Sequence, residues 1–133
     1  DNRPFCYAMN ARGVAPADFG LVKATPLAGE TISRMPNEIR APADMIAIGD
    51  DSSDTMSNSP NNYKSGGWGE FIGSYISPTA SSLIGTIHNQ GGNMVFLDDH
   101  VEWQHWWKWI EFNDTAARRW NYDNQPHEEF WNR

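Results

Sequence analysis

Cysteine is nearly absent. Cys6 stands alone in 133 residues, so no internal disulfide ties the fold and no Cys/His array has zinc spacing. It reads as a small buried apolar side chain rather than a reactive thiol. No stretch reaches the roughly 20 apolar residues that a membrane helix requires, and no signal peptide opens the chain. The first residues, Asp1-Asn2-Arg3-Pro4, lack an initiator Met, as the excised part of a longer protein would. Basic residues are scarce as well: ten Lys and Arg stand against seventeen Asp and Glu, a net charge of −7, and Arg118-Arg119 is the only adjacent basic pair. Such a chain repels a phosphate backbone, so nucleic acid is not an expected partner. Repeats with solenoid periods and low-complexity tracts are missing too.

What remains is globular in composition: 39% apolar, 13% aromatic and 20% charged. A chain of this length forms one domain, taken here as 1–133, and should bury about two-thirds of the surface its unfolded form exposes. Met45-Ile46-Ala47-Ile48, introduced by two prolines and closed by Gly49, predicts a strand over 44–49. Residues 50–69, dense in Asp, Ser, Asn, Pro and Gly, read as a long surface loop. Leu83–Ile87 and Asn93–Leu97 read as a hairpin joined by Asn89-Gln90-Gly91-Gly92. A second tight turn at Asp98-Asp99 leads into His100-Val101-Glu102-Trp103, which alternates polar and apolar residues as a strand with one exposed face would, so three strands should meander. Asn113 or Asp114 is a suitable N-cap for a short helix over 114–120. The segment 121–133 reads as an ordered arm wrapping the surface, with Pro126 preventing helix continuation. The expected class is therefore α+β, an antiparallel sheet with a short helix.

Candidate chemistry is sparse. Asp50, Asp51 and Asp54 follow a strand closely, and clustered carboxylates suit a hard cation such as calcium, although an EF-hand's Gly and Glu positions are not matched. The competing reading is a solvated acidic turn in which Ser and Asp cap backbone amides. His88 and Asp98 flank the expected hairpin strand and could converge with Asp50. A hydrogen-bonded loop clasp, a metal site and a general base all remain open there, the clasp being preferred because buried polar groups normally find partners. Trp106, Trp107 and Trp109, beside Trp103, suit either core packing, which is preferred, or an exposed platform for sugar rings. Gly49-Asp50-Asp51-Ser52 superficially resembles the Gly-Asp-Ser block of one hydrolase superfamily, but Asp51 occupies the nucleophile position. The Gly-x-Ser-x-Gly elbow, phosphate loop, dinucleotide fingerprint and His-Glu-x-x-His pair are all missing, so no enzyme is expected.

The segment from His88 through Asp98-Asp99 to Trp103 resembles the signature of the prepilin-type, processing-associated family, a His, nine residues and then Asp-Gly. Pro42–Asp50 is similar to that family's strand-plus-Asp segment, Tyr7-Ala8-Met9-Asn10 to its Tyr-x-x-Asn stretch, and Arg118–His127 to its closing motif. Asp99 stands where the family has Gly, at a turn position that needs positive φ, at a cost on the order of 1 kcal/mol.

The resemblance implies the C-terminal head of a type IV pilin-like or type II secretion pseudopilin-like protein. In that reading the head is an antiparallel sheet packed on a long N-terminal membrane or core helix, which is missing here, and some of the tryptophans could line the surface where it packs. Other pilin-like subunits would be the partners, and the inner membrane would be reached through that helix, with the head in the bacterial periplasm or at the cell surface. Calcium enters as a possible cofactor, because major pseudopilins use it to order a loop. The expected function is a non-catalytic structural subunit. The alternative is a secreted carbohydrate-binding module using Trp106, Trp107 and Trp109.

Overall fold

The apolar run Met45–Ile48 does enter a strand, but later than its sequence suggests. In the computed structural model, which describes residues 7–11, 13–14, 19–27, 30–50, 70–71 and 88–130, Pro42–Asp44 closes a single 3-10 turn and pairing begins at Ile46. The strands are β1 (Tyr7–Asn10), β2 (Val22–Ala24), β3 (Thr31–Ser33), β4 (Ile46–Asp50), β5 (Glu70–Phe71), β6 (Gly91–Phe96) and β7 (Val101–His105), followed by helices α1 (Trp106–Trp109) and α2 (Asp114–Arg118). A five-stranded sheet runs in the order β5-β1-β4-β6-β7, and β2 and β3 form a separate antiparallel pair. All pairs in the main sheet are antiparallel except β1 with β5. The α+β class holds, with one parallel pair added.

β6 pairs with β4 on one edge and with β7 on the other, so an earlier strand lies beside the β6–β7 hairpin. The expected strand over 83–87 and the loop 51–69 lie outside the described residues. At the start of β6 the turn is shorter than its sequence suggests. Asn89 and Gln90 both have positive φ, 55° and 59°, while Gly91 pairs back to His88 and already belongs to the strand. Two consecutive left-handed residues match the right-handed twist of the flanking chain.

The β6–β7 connection also differs in detail. Asp99 N–H donates to Phe96 O (3.0 Å) and Phe96 N–H to His100 O (2.9 Å), which closes a three-residue loop in place of a two-residue one. Asp99 takes the left-handed position with φ 74°, the conformation that glycine adopts most readily and Asp better than most.

One face of the sheet holds the core. Met94 and Phe96 alternate inward along β6 and meet Ile46, Val14, Trp109, Ala116, Ala117 and Trp120. Ile46 lies opposite Phe96 and Ile48 opposite Val95, an irregular register that leaves Ile46 buried and Ile48 exposed. A bulge of this kind turns residues two apart onto opposite faces. Helix α2 is capped as expected, by Asn113 accepting from Ala116 N–H at 2.9 Å, and lays Ala116 and Ala117 on the core. The helix ends at Arg118, shorter than the expected 114–120. Helix α1 is an addition. The segment after α2 is fastened to the rest of the chain: Asn121 is buried, Tyr122 N–H donates to Phe19 O at 2.7 Å, and the His127 ring stacks on Phe19.

Candidate functional site

Strand pairing brings Asp50 and Asn93 opposite each other, one step along from the pairs Gly49–Met94 and Ile48–Val95. Asp50 is the last residue of β4 rather than a loop residue, and it is buried. Its Oδ2 accepts from the Asn93 main-chain N–H at 2.8 Å and from the Asn93 side-chain amide at 3.1 Å, while His88 Nε2 stands 3.5 Å away. The His88 carbonyl in turn accepts from the Trp103 indole N–H at 2.9 Å. These bonds join the β6 turn to β4 and β7. A calcium ion is coordinated by oxygen, whereas Asp50 here faces N–H donors and an imidazole.

Asp98 does not join this group. It lies past the far end of β6 from His88, and an extended six-residue strand spans roughly 20 Å. Its carboxylate pairs instead with His100 Nδ1, while His100 Nε2 meets Glu102 at 2.9 Å. Glu102 is also paired with Arg119, whose Nε donates to Asp44 at 3.1 Å. His100 stacks on Phe96, and the Arg119 guanidinium also lies over that ring. Glu102 first and Asp98 second raise the His100 pKa, and the hydrogen bond from His100 lowers that of Asp98. The network fastens the hairpin tip to α2. Asp51 and Asp54 lie outside the described residues. Among those described, no three of His, Cys, Asp and Glu come together to hold a metal ion.

The tryptophans divide. Trp109 and Trp120 are core, each 1% exposed, with their N–H groups donating to Gly92 O (3.1 Å) and Trp109 O (2.8 Å). Trp106 packs partly buried against that core. Trp107 and Trp103 remain 40% and 43% exposed, so the set Trp106, Trp107 and Trp109 does not form one platform. Trp107 instead stacks on His105 at 4.4 Å and 5°, and Trp103 meets His105 edge-on.

Sequence reasoning missed a second polar clasp. Asn10, fully buried at the end of β1, donates to Ile46 O (2.9 Å) and Trp120 O (2.8 Å) and accepts from Gly13 N–H (3.0 Å). Beside it Asn121 accepts from Val14 N–H (2.9 Å) and donates to Gln125 O (2.7 Å). Gly13 has φ 68°, and a Cβ there would lie 2.6 Å from Asn121 Oδ1. The only signal for this clasp was the resemblance of the Tyr-x-x-Asn and closing segments, which here meet in space. No family model matches the chain, and neither a curated protein nor a solved structure matches it.

The sheet face opposite the core carries a different pattern. Met9 pairs with Ile48, Ile48 with Val95, and Val95 with Val101, which sets an apolar side chain on each of four adjacent strands in a single row. Met9, Ile48 and Val101 are 41%, 42% and 58% exposed. No helix among the described residues is long and apolar enough to cross a membrane.

Proposed function

We propose that this chain is a non-catalytic structural subunit, the head of a pilin-like or pseudopilin-like protein. The observation that carries the reading is the apolar row Met9, Ile48, Val95 and Val101, in which Met9, Ile48 and Val101 are exposed. Contiguous apolar surface on a folded domain marks an interaction site. A row crossing the strands suits a long apolar helix, the element that the sequence resemblance implies for the full-length protein. Through that helix the subunit reaches the inner membrane and its fellow subunits, with the head on the periplasmic or outer side. The polar residues of the signature support the same role, because Asn10 and Asp50 spend their hydrogen-bonding capacity on tying strands together.

Mass spectrometry of the natural protein from its cells tests the reading. It predicts an apolar segment of about 20 residues or more ahead of Asp1, in the membrane or sheared-filament fraction. A natural protein lacking such a segment refutes it. The double change Ile48→Asp with Val101→Asp should leave the head folded, since both positions are exposed, and should remove the full-length protein from filaments.

A further inference from the structure

Beyond the apolar row, the same sheet face continues into a surface of another kind. Trp103 follows two residues after Val101, and His105 two after Trp103, so all three point to one side of β7. The Trp103 indole lies across Gly91, where a Cβ would fall 2.5 Å from Cε2 and 2.6 Å from Cζ2, so the ring occupies space that only glycine leaves. Its N–H is used on His88 O. Next to it the His105 ring is held between Trp103 and Trp107. Its Nδ1 is buried and has no hydrogen-bond partner among the described residues, so the two indoles are the contacts that hold the ring there. Trp107 is further set at 86° to Trp106. Two partly exposed indoles are thus held in fixed orientation by their neighbours.

The rim is polar. The turn His88-Asn89-Gln90 is exposed, and it is tied to the aromatic surface by the Trp103 indole N–H donating to His88 O and by the Trp106 main-chain N–H donating to Gln90 O at 3.1 Å. Among the described residues, the side-chain amides of Asn89 and Gln90 have no hydrogen-bond partner. Flat aromatic faces receive the C–H faces of pyranose rings, and amides and imidazoles match paired hydroxyls as donor and acceptor together. The net charge of −7 opposes polyanions. We propose that Trp103 and Trp107, with Asn89 and Gln90 at the rim, bind a neutral polysaccharide. This corrects the expected platform of Trp106, Trp107 and Trp109, of which only Trp107 remains, and it does not depend on the assembly role.

Affinity electrophoresis through gels containing hydroxyethyl cellulose, mannan, xylan or glycol chitin tests it, with alginate as the anionic control. At least one neutral polymer should retard the chain while alginate does not. Trp107→Ala and Gln90→Ala should each weaken that retardation at least about tenfold, with far-ultraviolet circular dichroism unchanged. Both sites lie away from the Met9–Val101 row, so these variants leave filament assembly intact and the two proposals fail separately. Retardation by none of the four neutral polymers overturns the proposal, as does retardation that survives both variants. Trp107-dependent self-association in sedimentation, with no glycan retardation, also overturns it by assigning the surface to a second copy.

Discussion

Replacing Asn10 by Ala removes three hydrogen bonds from a site with no solvent exposure. Each such bond contributes about 1 kcal/mol net, and the Gly13 N–H loses its acceptor in the interior, so the expected loss is on the order of 3 kcal/mol. For a domain of this size that corresponds to roughly 11 °C in melting temperature. Asn10→Asp provides an independent check of mechanism. It keeps an acceptor for Gly13 but turns a carboxylate toward the carbonyls of Ile46 and Trp120, so it should cost at least as much as Ala despite its near-identical shape. Urea unfolding followed by tryptophan fluorescence measures both. A loss under about 1 kcal/mol for Asn10→Ala would show that the bonds do not hold β1 to β4 and the chain after α2. His88→Ala serves as contrast. Its imidazole stands 3.5 Å from Asp50 and is nearly half exposed, so it should cost less than about 1 kcal/mol.

His100 gives a pH test. Because Glu102 and Asp98 raise its folded pKa, its stabilisation is complete below the ordinary imidazole value of about 6.5 and is lost as pH rises through the raised value. The lowered Asp98 pKa contributes above about 3.8 and loses that contribution as pH falls through the folded value, so the clamp is strongest between the two. Melting temperature should therefore fall as pH rises above about 6.5, and His100→Gln should flatten the fall; an unchanged slope in the variant rules the clamp out as its cause. Trp109→Ala should cost about 3–5 kcal/mol and Trp107→Ala within about 0.5 kcal/mol in urea unfolding, and equal losses would contradict the division of the tryptophans. Asp99→Gly should stabilise by a few tenths of a kcal/mol and Asp99→Val should destabilise by about 1–2 kcal/mol, opposite signs that follow from φ 74°. Melting in calcium and in EDTA tests the expected cation site: a calcium-dependent rise that is lost in Asp51→Asn with Asp54→Asn assigns ligands there, and coincident curves leave Asp50 to its bonds with Asn93.

The readable parts of the fold were those written in local chemistry. Asp98-Asp99 announced a turn because Asp tolerates the left-handed position, and Asn113 announced α2 because its side chain can accept from a free first-turn amide. Elements fixed from a distance were not readable. Tyr7–Asn10 has no strand alternation of its own, yet it is flanked by β4 and β5 and anchored through Asn10 to Trp120, which is 110 residues away. Trp106–Trp109 lacks a cap and carries residues that favour strands, but the α-helix there buries Trp109 against Phe96. The sequence grouped Asp98 with His88 by proximity in the motif, and the rigid length of β6 separates them.

The alternation along His100–Trp103 was readable, but its sense was not. Polarity alone suggests that Val101 and Trp103 face inward and that His100 and Glu102 face water. In the structure His100 and Glu102 turn toward Phe96 and Arg119, where stacking and ion pairs satisfy them, and the apolar residues face outward. An inversion confined to one edge strand could be a local compromise. Here it continues through Val95 and Ile48 to Met9, so four strands agree on an apolar outer row. Ile48 reaches that row only because the β4 bulge separates it from Ile46, which stays in the core. A bulge that exposes an isoleucine gives nothing to an isolated domain, since burial of that side chain would stabilise it by about 1.5–3 kcal/mol. Covering the row with a second apolar element recovers that energy, and this is the physical reason for reading the domain as part of a larger assembly.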